Sequence, residues 1–295
     1  MTASQANPDL PLVVSVGDLI SDIVVELEAG YRAGTDTDAS VARRRGGSAA
    51  NVAAAAVAAG GHARFVGKVG ADRLGDELLA ELERCGVETC VERGGRTGTV
   101  VSIVDLAGER SMLTDRGSAG ELSVLPPGAL EQASALHVPL YALLVEPLAT
   151  LVGEVVSAAA DQGVLTSADV SSVPVVEAVG PAMVIEWCQS NGVGVLFCNE
   201  GEYSALGDRP FPDSLLVVQK RGASPAVIHH TSGPVEVPAI AGVAVVDSTG
   251  AGDAFAAGLL VARCGGADWT TAVQNGHAVA ARAVTQLGAL TGVEG

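Results

Sequence analysis

Near its C-terminal end the chain reads Asp247-Ser-Thr-Gly-Ala-Gly-Asp253, two carboxylates separated by a run of small residues that joins the apolar stretch GVAVVD to the alanine-rich stretch AFAAGLLVARC. Gly250, Ala251 and Gly252 let a ligand approach bare backbone N–H groups. A helix starting near Gly252 would aim its positive end at the same place. Unpaired amides and a helix dipole together make an anion site, suited to phosphate oxygens and to the charge that develops when a phosphoryl group is transferred. Asp253 then has two readings: a carboxylate that caps the helix, or a general base that takes the proton of a hydroxyl attacking a γ-phosphate.

A second glycine turn, Arg45-Gly46-Gly47-Ser48-Ala49-Ala50-Asn51-Val52-Ala53, runs into a helix with Asn51 in its first turn. Read plainly, it is a helix start with Ser48 as N-cap. Two other phosphate motifs are excluded. Phe255 stands where a dinucleotide fingerprint needs its third glycine, and the nearest approach to a Walker A, Gly61 to Val69, has five residues between its glycines and valine where Ser or Thr should stand.

The elements that must hold these residues alternate along the chain. Short β-branched runs at 12–17, 63–70, 135–140, 163–170, 192–199, 214–222 and 242–247 predict strands. Between them, Asn51–Ala59, Leu74–Cys85, Ala149–Ala160, Pro181–Gln189, Gly252–Cys264 and Trp269–Gln286 predict helices, the pattern of βα units around a parallel or mixed sheet. Residues 22–45 and 96–117 break this rhythm, alternating apolar and polar residues around turns. They predict hairpins, either a small sheet projecting from the main body as a lid or a dimer contact, or two edge hairpins of the main sheet.

The 295 residues are 48% hydrophobic, ample for a large core, and carry 34 acidic against 17 basic side chains, a formal net charge of −17. The densest basic run, Arg43-Arg44-Arg45, is too short for a nucleic-acid footprint, and aromatics at 3% leave few stacking platforms. Five cysteines show no zinc or redox spacing and read as reduced thiols. The N-terminus lacks the marks of a signal peptide, and the longest apolar run is far short of a membrane span, so neither a nucleic-acid nor a membrane partner is expected and the location expected is cytoplasmic.

Taken together the motifs resemble the ribokinase-like, or PfkB, family of carbohydrate kinases along nearly the whole chain. The family signature D-T-x-G-A-G-D-x-F stands as Asp247 to Phe255 with Ser248 for Thr. Its glycine pair and Asn-x-Ala stand as Gly46-Gly47 and Asn51-Val-Ala53, F-x-G-x-V-G-x-D-x-x-G as Phe65 to Gly75, and N-x-x-E as Asn199 to Glu202. The resemblance implies one domain over 1–295, a three-layer α/β/α fold with a mostly parallel central sheet, and a small β lid from about 22–45 and 96–117 through which two copies would pair.

It also implies an ATP- and magnesium-dependent transfer to a hydroxymethyl group of a sugar. Asp253 would be the base, and Gly250, Ala251 and Gly252 the anion hole. Asp22, Gly46, Gly47 and Asn51 would hold the sugar, with Tyr141 beside it. Asn199, Gly222 and His277 would line the nucleotide site, Glu202 would face magnesium through water, and Asp247 and Thr249, with carbonyls near Val284 to Gly288, would bind a monovalent cation, potassium, as in some relatives. A nucleoside kinase of the same family and a catalytically silent sugar sensor are the alternatives. Tyr141 is the sole aromatic available for a nucleobase, which favours a free sugar, and the intact glycine turn speaks against the sensor. Two departures stand out: Pro225 replaces a glycine three residues after Gly222, and the D-x-N-x-R run of many relatives reads Asp169-Val-Ser-Ser-Val here.

Overall fold

The computed structural model describes residues 10–207, 209–230, 233–286 and 288–289; residues 1–9, where no signal peptide is expected, and residue 287, within the stretch expected to offer carbonyls, lie outside these. The chain runs β1 (Leu12–Val16), β2 (Ile20–Leu27), β3 (Ala39–Gly46), α1 (Ser48–Ala58), β4 (His62–Val69), α2 (Arg73–Arg84), β5 (Glu88–Arg93), β6 (Thr97–Val104) and β7 (Arg110–Gly117). It continues through β8 (Ala135–Pro139), α3 (Leu148–Asp161), β9 (Leu165–Asp169), α4 (Val173–Val179), α5 (Pro181–Ser190), β10 (Val195–Asn199), α6 (Glu200–Leu206), β11 (Leu216–Lys220), β12 (Ala226–His229), β13 (Val235–Val237), α7 (Ala251–Cys264) and α8 (Trp269–Ala283).

Nine strands form one sheet in the order β13-β12-β11-β10-β9-β8-β1-β4-β5, parallel except where β12 and β13 turn back at one edge. Strand side chains alternate between faces, and both faces are buried. Val13, Phe65 and Phe197 join a core closed by α1, α2, α7 and α8. Val14, Val16, Leu196 and Val217 join a second core under α3 to α6. The result is the three-layer α/β/α fold expected.

The two unusual stretches form one separate sheet, in the order β3-β2-β6-β7, with β2 and β6 parallel and each paired antiparallel to its hairpin partner. The edge-hairpin reading is therefore wrong. So is one predicted strand: residues 242–247 have no ladder partner, and Val243 and Val245 instead line a cavity. β5, β12, β13, α4 and α6 are elements that the sequence pattern missed.

In an open parallel sheet, ligands bind beyond the carboxyl ends of the strands, where the winding direction reverses. Here β1 leads outward to β4 and β5, while its other neighbour β8 leads to β9, β10 and β11. The last residues of those strands, with the N-termini of α1 and α7, meet at this edge.

Candidate active site

Helix α7 is capped by Gly250, whose backbone lies in the left-handed region at φ 73°, with no side-chain cap bond. Glycine takes that conformation without strain. The α-helical ladder begins where Ala254 N–H donates to Gly250 O (2.8 Å), so the amides of Gly252 and Asp253 have no acceptor within the helix and stand at its positive end. Ala251 N–H, by contrast, donates back to Ser248 O at 3.2 Å.

Asp253 does not cap the helix. Its Oδ1 accepts from Ser48 Oγ (2.7 Å) and its Oδ2 from Asn51 Nδ2 (3.0 Å), both at the start of α1. Ser48 leaves the N-cap position to Gly47. Asn51 accepts from Nη1 of the buried Arg45 at 3.0 Å, which turns its amide N–H groups toward Asp253. Burial pushes the Asp253 carboxyl up to about 6, with Ser48 and Asn51 acting in the opposite sense.

Lys220, the last residue of β11, is the group that the sequence reading missed. Its ammonium donates to Asp169 at the end of β9, and a Cβ placed on Gly252 would lie 3.0 Å from its Nζ, so the charge sits against the first turn of α7. Burial alone would lower its pKa; Asp169 and Glu202 outweigh this and raise it, which keeps the group cationic. The signal available was a lysine closing an apolar strand of an α/β sheet. The pairing with Asp169, 51 residues away, has no local trace in the sequence.

On the other side of Lys220 and Gly252 lies a cavity of about 320 Å³ lined by Gly222, Val243, Val245, Phe255, His277 and Ala280 among others. His277 is packed edge-on to Phe255 with Nε2 3.3 Å from Val237 O, and burial lowers its pKa. Asn199 and Glu202 form a capping box on α6: the Asn199 backbone N–H and side-chain amide donate to Glu202 at 2.7 and 2.8 Å, and Glu202 N–H donates to Asn199 Oδ1 at 2.9 Å. Burial raises the Glu202 carboxyl, and Asp169 raises it further.

Toward the small sheet, Asp22 of β2 stands opposite Arg44 of β3 and accepts from Ser102 Oγ of β6 at 3.1 Å. Burial raises its pKa. A side chain on Gly46 would crowd Asp22, its Cβ 3.1 Å away, and one on Gly47 would strike Asp18 O at 2.3 Å, so the glycine pair lets this strand end pass over the β1–β2 turn. Asp247 accepts from Arg44, Arg110, Gly288 N–H and both the hydroxyl and the amide of Thr249. Burial would raise that carboxyl, but those donors hold it well below the usual range. Tyr141 lines a small cavity with Asp18 and Arg116, whose guanidinium lies 5.2 Å above its ring, and its hydroxyl donates to Ser171 O at 3.2 Å.

A doubly covered parallel sheet with a carboxylate, an ammonium and free amides gathered at a helix N-terminus, next to an apolar cavity, is the equipment of a small-molecule phosphotransferase. The chain belongs to the pfkB family of carbohydrate kinases, whose profile matches residues 10–294. It is 30% identical to a fructokinase of Vibrio alginolyticus, with 93% of each chain covered. To an ATP-dependent ribose-1-phosphate kinase of Halopiger xanaduensis it is 29% identical, over 84% of this chain and 83% of that one. In structure it is similar to the adenosine kinase of Sinorhizobium meliloti, at a TM-score of 0.80 and 25% identity, with 96% of this chain and 98% of that one covered. Among the described residues, no helix is long and apolar enough to cross a membrane.

Proposed function

We propose that this kinase transfers the γ-phosphoryl group of ATP to a hydroxymethyl group of a sugar, with Asp253 as general base. The observation that carries this is the state of Asp253: both of its oxygens are held by α1, it caps nothing, and its pKa of about 6 suits a base working near neutral pH. The sugar lies between Asp22, Gly46, Gly47 and Asn51, and the nucleotide occupies the cavity of Gly222 and His277. As the hydroxyl oxygen attacks the γ-phosphorus its proton passes to Asp253, while the amides of Gly252 and Asp253 and the ammonium of Lys220 take up the charge on the phosphoryl oxygens. The small sheet closes over the sugar and keeps water from competing for the phosphoryl group.

Magnesium is bound in such sites by one or two carboxylates together with phosphate oxygens, and Asp169 and Glu202 are, beside Asp253, the carboxylates whose charge acts on Lys220 here. Bound there, it would neutralise charge on the β- and γ-phosphates.

A free sugar is favoured over a nucleoside because Arg116 covers one face of Tyr141, the aromatic that a nucleobase would need. The test is ADP release from ATP and magnesium with a panel of sugars and nucleosides, run on the wild type and on Asp253→Asn. The expected outcome is turnover of at least one sugar by the wild type and a fall in kcat of roughly 10²–10⁴-fold in the variant with both substrates still bound. An equally active variant would sink the proposal.

A further inference from the structure

We infer that Arg44 and Arg110 of the small sheet fill the position at Asp247 where a monovalent cation would bind, so that this kinase works without potassium and uses its own guanidinium groups there instead. The inference rests on the phosphotransfer reading for its kinetic arm only.

The argument is one of occupied lone pairs. A carboxylate offers about four acceptor positions. Asp247 Oδ1 accepts from Arg110 Nη2 (3.0 Å), Thr249 N–H (2.9 Å) and Thr249 Oγ1 (2.6 Å), and Oδ2 accepts from Arg44 Nη1 (2.9 Å) and Gly288 N–H (3.0 Å). The Thr249 hydroxyl oxygen accepts in turn from Arg110 Nη1 at 2.7 Å. On the far side of the expected site, the Val284 carbonyl accepts from the amides of Val246 (2.7 Å) and Asp247 (3.3 Å). A bare monovalent cation needs several oxygens with free lone pairs to replace its hydration shell, and two guanidinium groups in contact with the same carboxylate repel it further. Of the ligand set expected from the family resemblance, the Asp247 carboxylate, the Thr249 hydroxyl and the Val284 carbonyl are present among the described residues, yet already used.

These contacts also give the arginines a positioning role. Arg44 comes from β3 and Arg110 from the start of β7, at opposite edges of the small sheet. Both reach the loop that enters α7, so the sheet that carries Asp22 is tied to the turn that carries Gly250 and Asp253.

The experiment replaces potassium chloride by tetramethylammonium chloride at constant ionic strength. It follows the melting temperature, which needs no turnover, and the rate on whichever substrate the panel identifies. For the wild type the expected result is an unchanged melting temperature and rates within about twofold, since only a bound ligand stabilises the fold by mass action. A potassium-specific rise in melting temperature, or activation of about tenfold, would overturn the inference. The Arg110→Ala variant supplies the second arm. Its rate is expected to fall, and potassium or millimolar guanidinium to restore at least half of the loss, a response that the wild type lacks. A loss that neither cation restores, or no loss at all, overturns the inference. If the panel finds no substrate, the melting arm still decides the cation question, which separates failure of this inference from failure of the kinase reading.

Discussion

A partly buried carboxylate that, on the proposed mechanism, must ionise to act is under opposite demands from rate and stability. Asp253 titrates near 6 in the fold and near 3.8 when unfolded. Between those values the native state binds more protons than the unfolded chain, so the stability contributed by this group is present at low pH and is lost as pH rises through about 6. The rise of about two units corresponds to about 3 kcal/mol at most. kcat should therefore climb with pH to a plateau above about 6 as the base ionises. Asp253→Asn should melt higher than the wild type at pH 8 and converge with it at pH 4, because the amide fits the same place once Ser48 turns its hydroxyl to accept. Melting curves at the two pH values check this; an Asn variant less stable at pH 8 would mean that the charge is not strained. The bond between Asn51 and Asp253 joins two residues that the sequence singles out, because each stands within a short motif whose spacing is local. Ser48 was read as a cap, and Lys220, Asp169 and the arginines of the small sheet were not seen as site residues, because their partners lie far away in sequence.

At the scale of elements, the N-terminal turn of α7 does two separable things, and its two glycines divide them. Gly250 stands in the left-handed region, and a Cβ there would lie 2.9 Å from Ala289 Cβ, so Gly250→Ala should cost about 1–2 kcal/mol for the conformation alone and lower the melting temperature. Gly252 is helical, and its Cβ would meet only the flexible end of Lys220, at 3.0 Å. Gly252→Ala should keep or raise the melting temperature, since alanine is the better helix former by up to about 1 kcal/mol, while on the proposed mechanism kcat falls as the Lys220 ammonium gives way by a few tenths of an ångström. Thermal melts and single-substrate kinetics on both variants distinguish the roles; an unchanged kcat in Gly252→Ala would mean that the reaction does not depend on where Gly252 holds the Lys220 ammonium. The helices around this turn were readable to within a few residues from apolar spacing and glycine stops. The apolar run 242–247 misled, because an extended segment that lines a cavity has the same composition as one that pairs in a sheet.

For the molecule as a whole, the apolar cores are unequal. Two large clusters pack against the faces of the main sheet, whereas among the described residues the small sheet contributes Ile20 and Val100 to a small buried cluster with Ala119 of the following turn, and leaves Val41, Met112 and Leu113 exposed. Native-state hydrogen exchange should find β2, β3, β6 and β7 opening at lower free energy than β1, β4 and β8 to β11, and bound sugar with nucleotide should slow the small sheet most. Equal protection of both sheets would argue against a closing lid. The bonds that complete Asp253 join residues 205 and 202 positions apart. At synthesis rates of 5–20 residues per second, the half of the site on α1 emerges on the order of 10–40 s before α7. During that interval the alanine-rich face of α1 lacks α7 to cover it, and the carboxylate that Ser48 and Asn51 hold is absent. On the proposed mechanism, a nascent or truncated chain would hold the residues assigned to the sugar but lack the base, so phosphotransfer would begin only once α7 and α8 have docked.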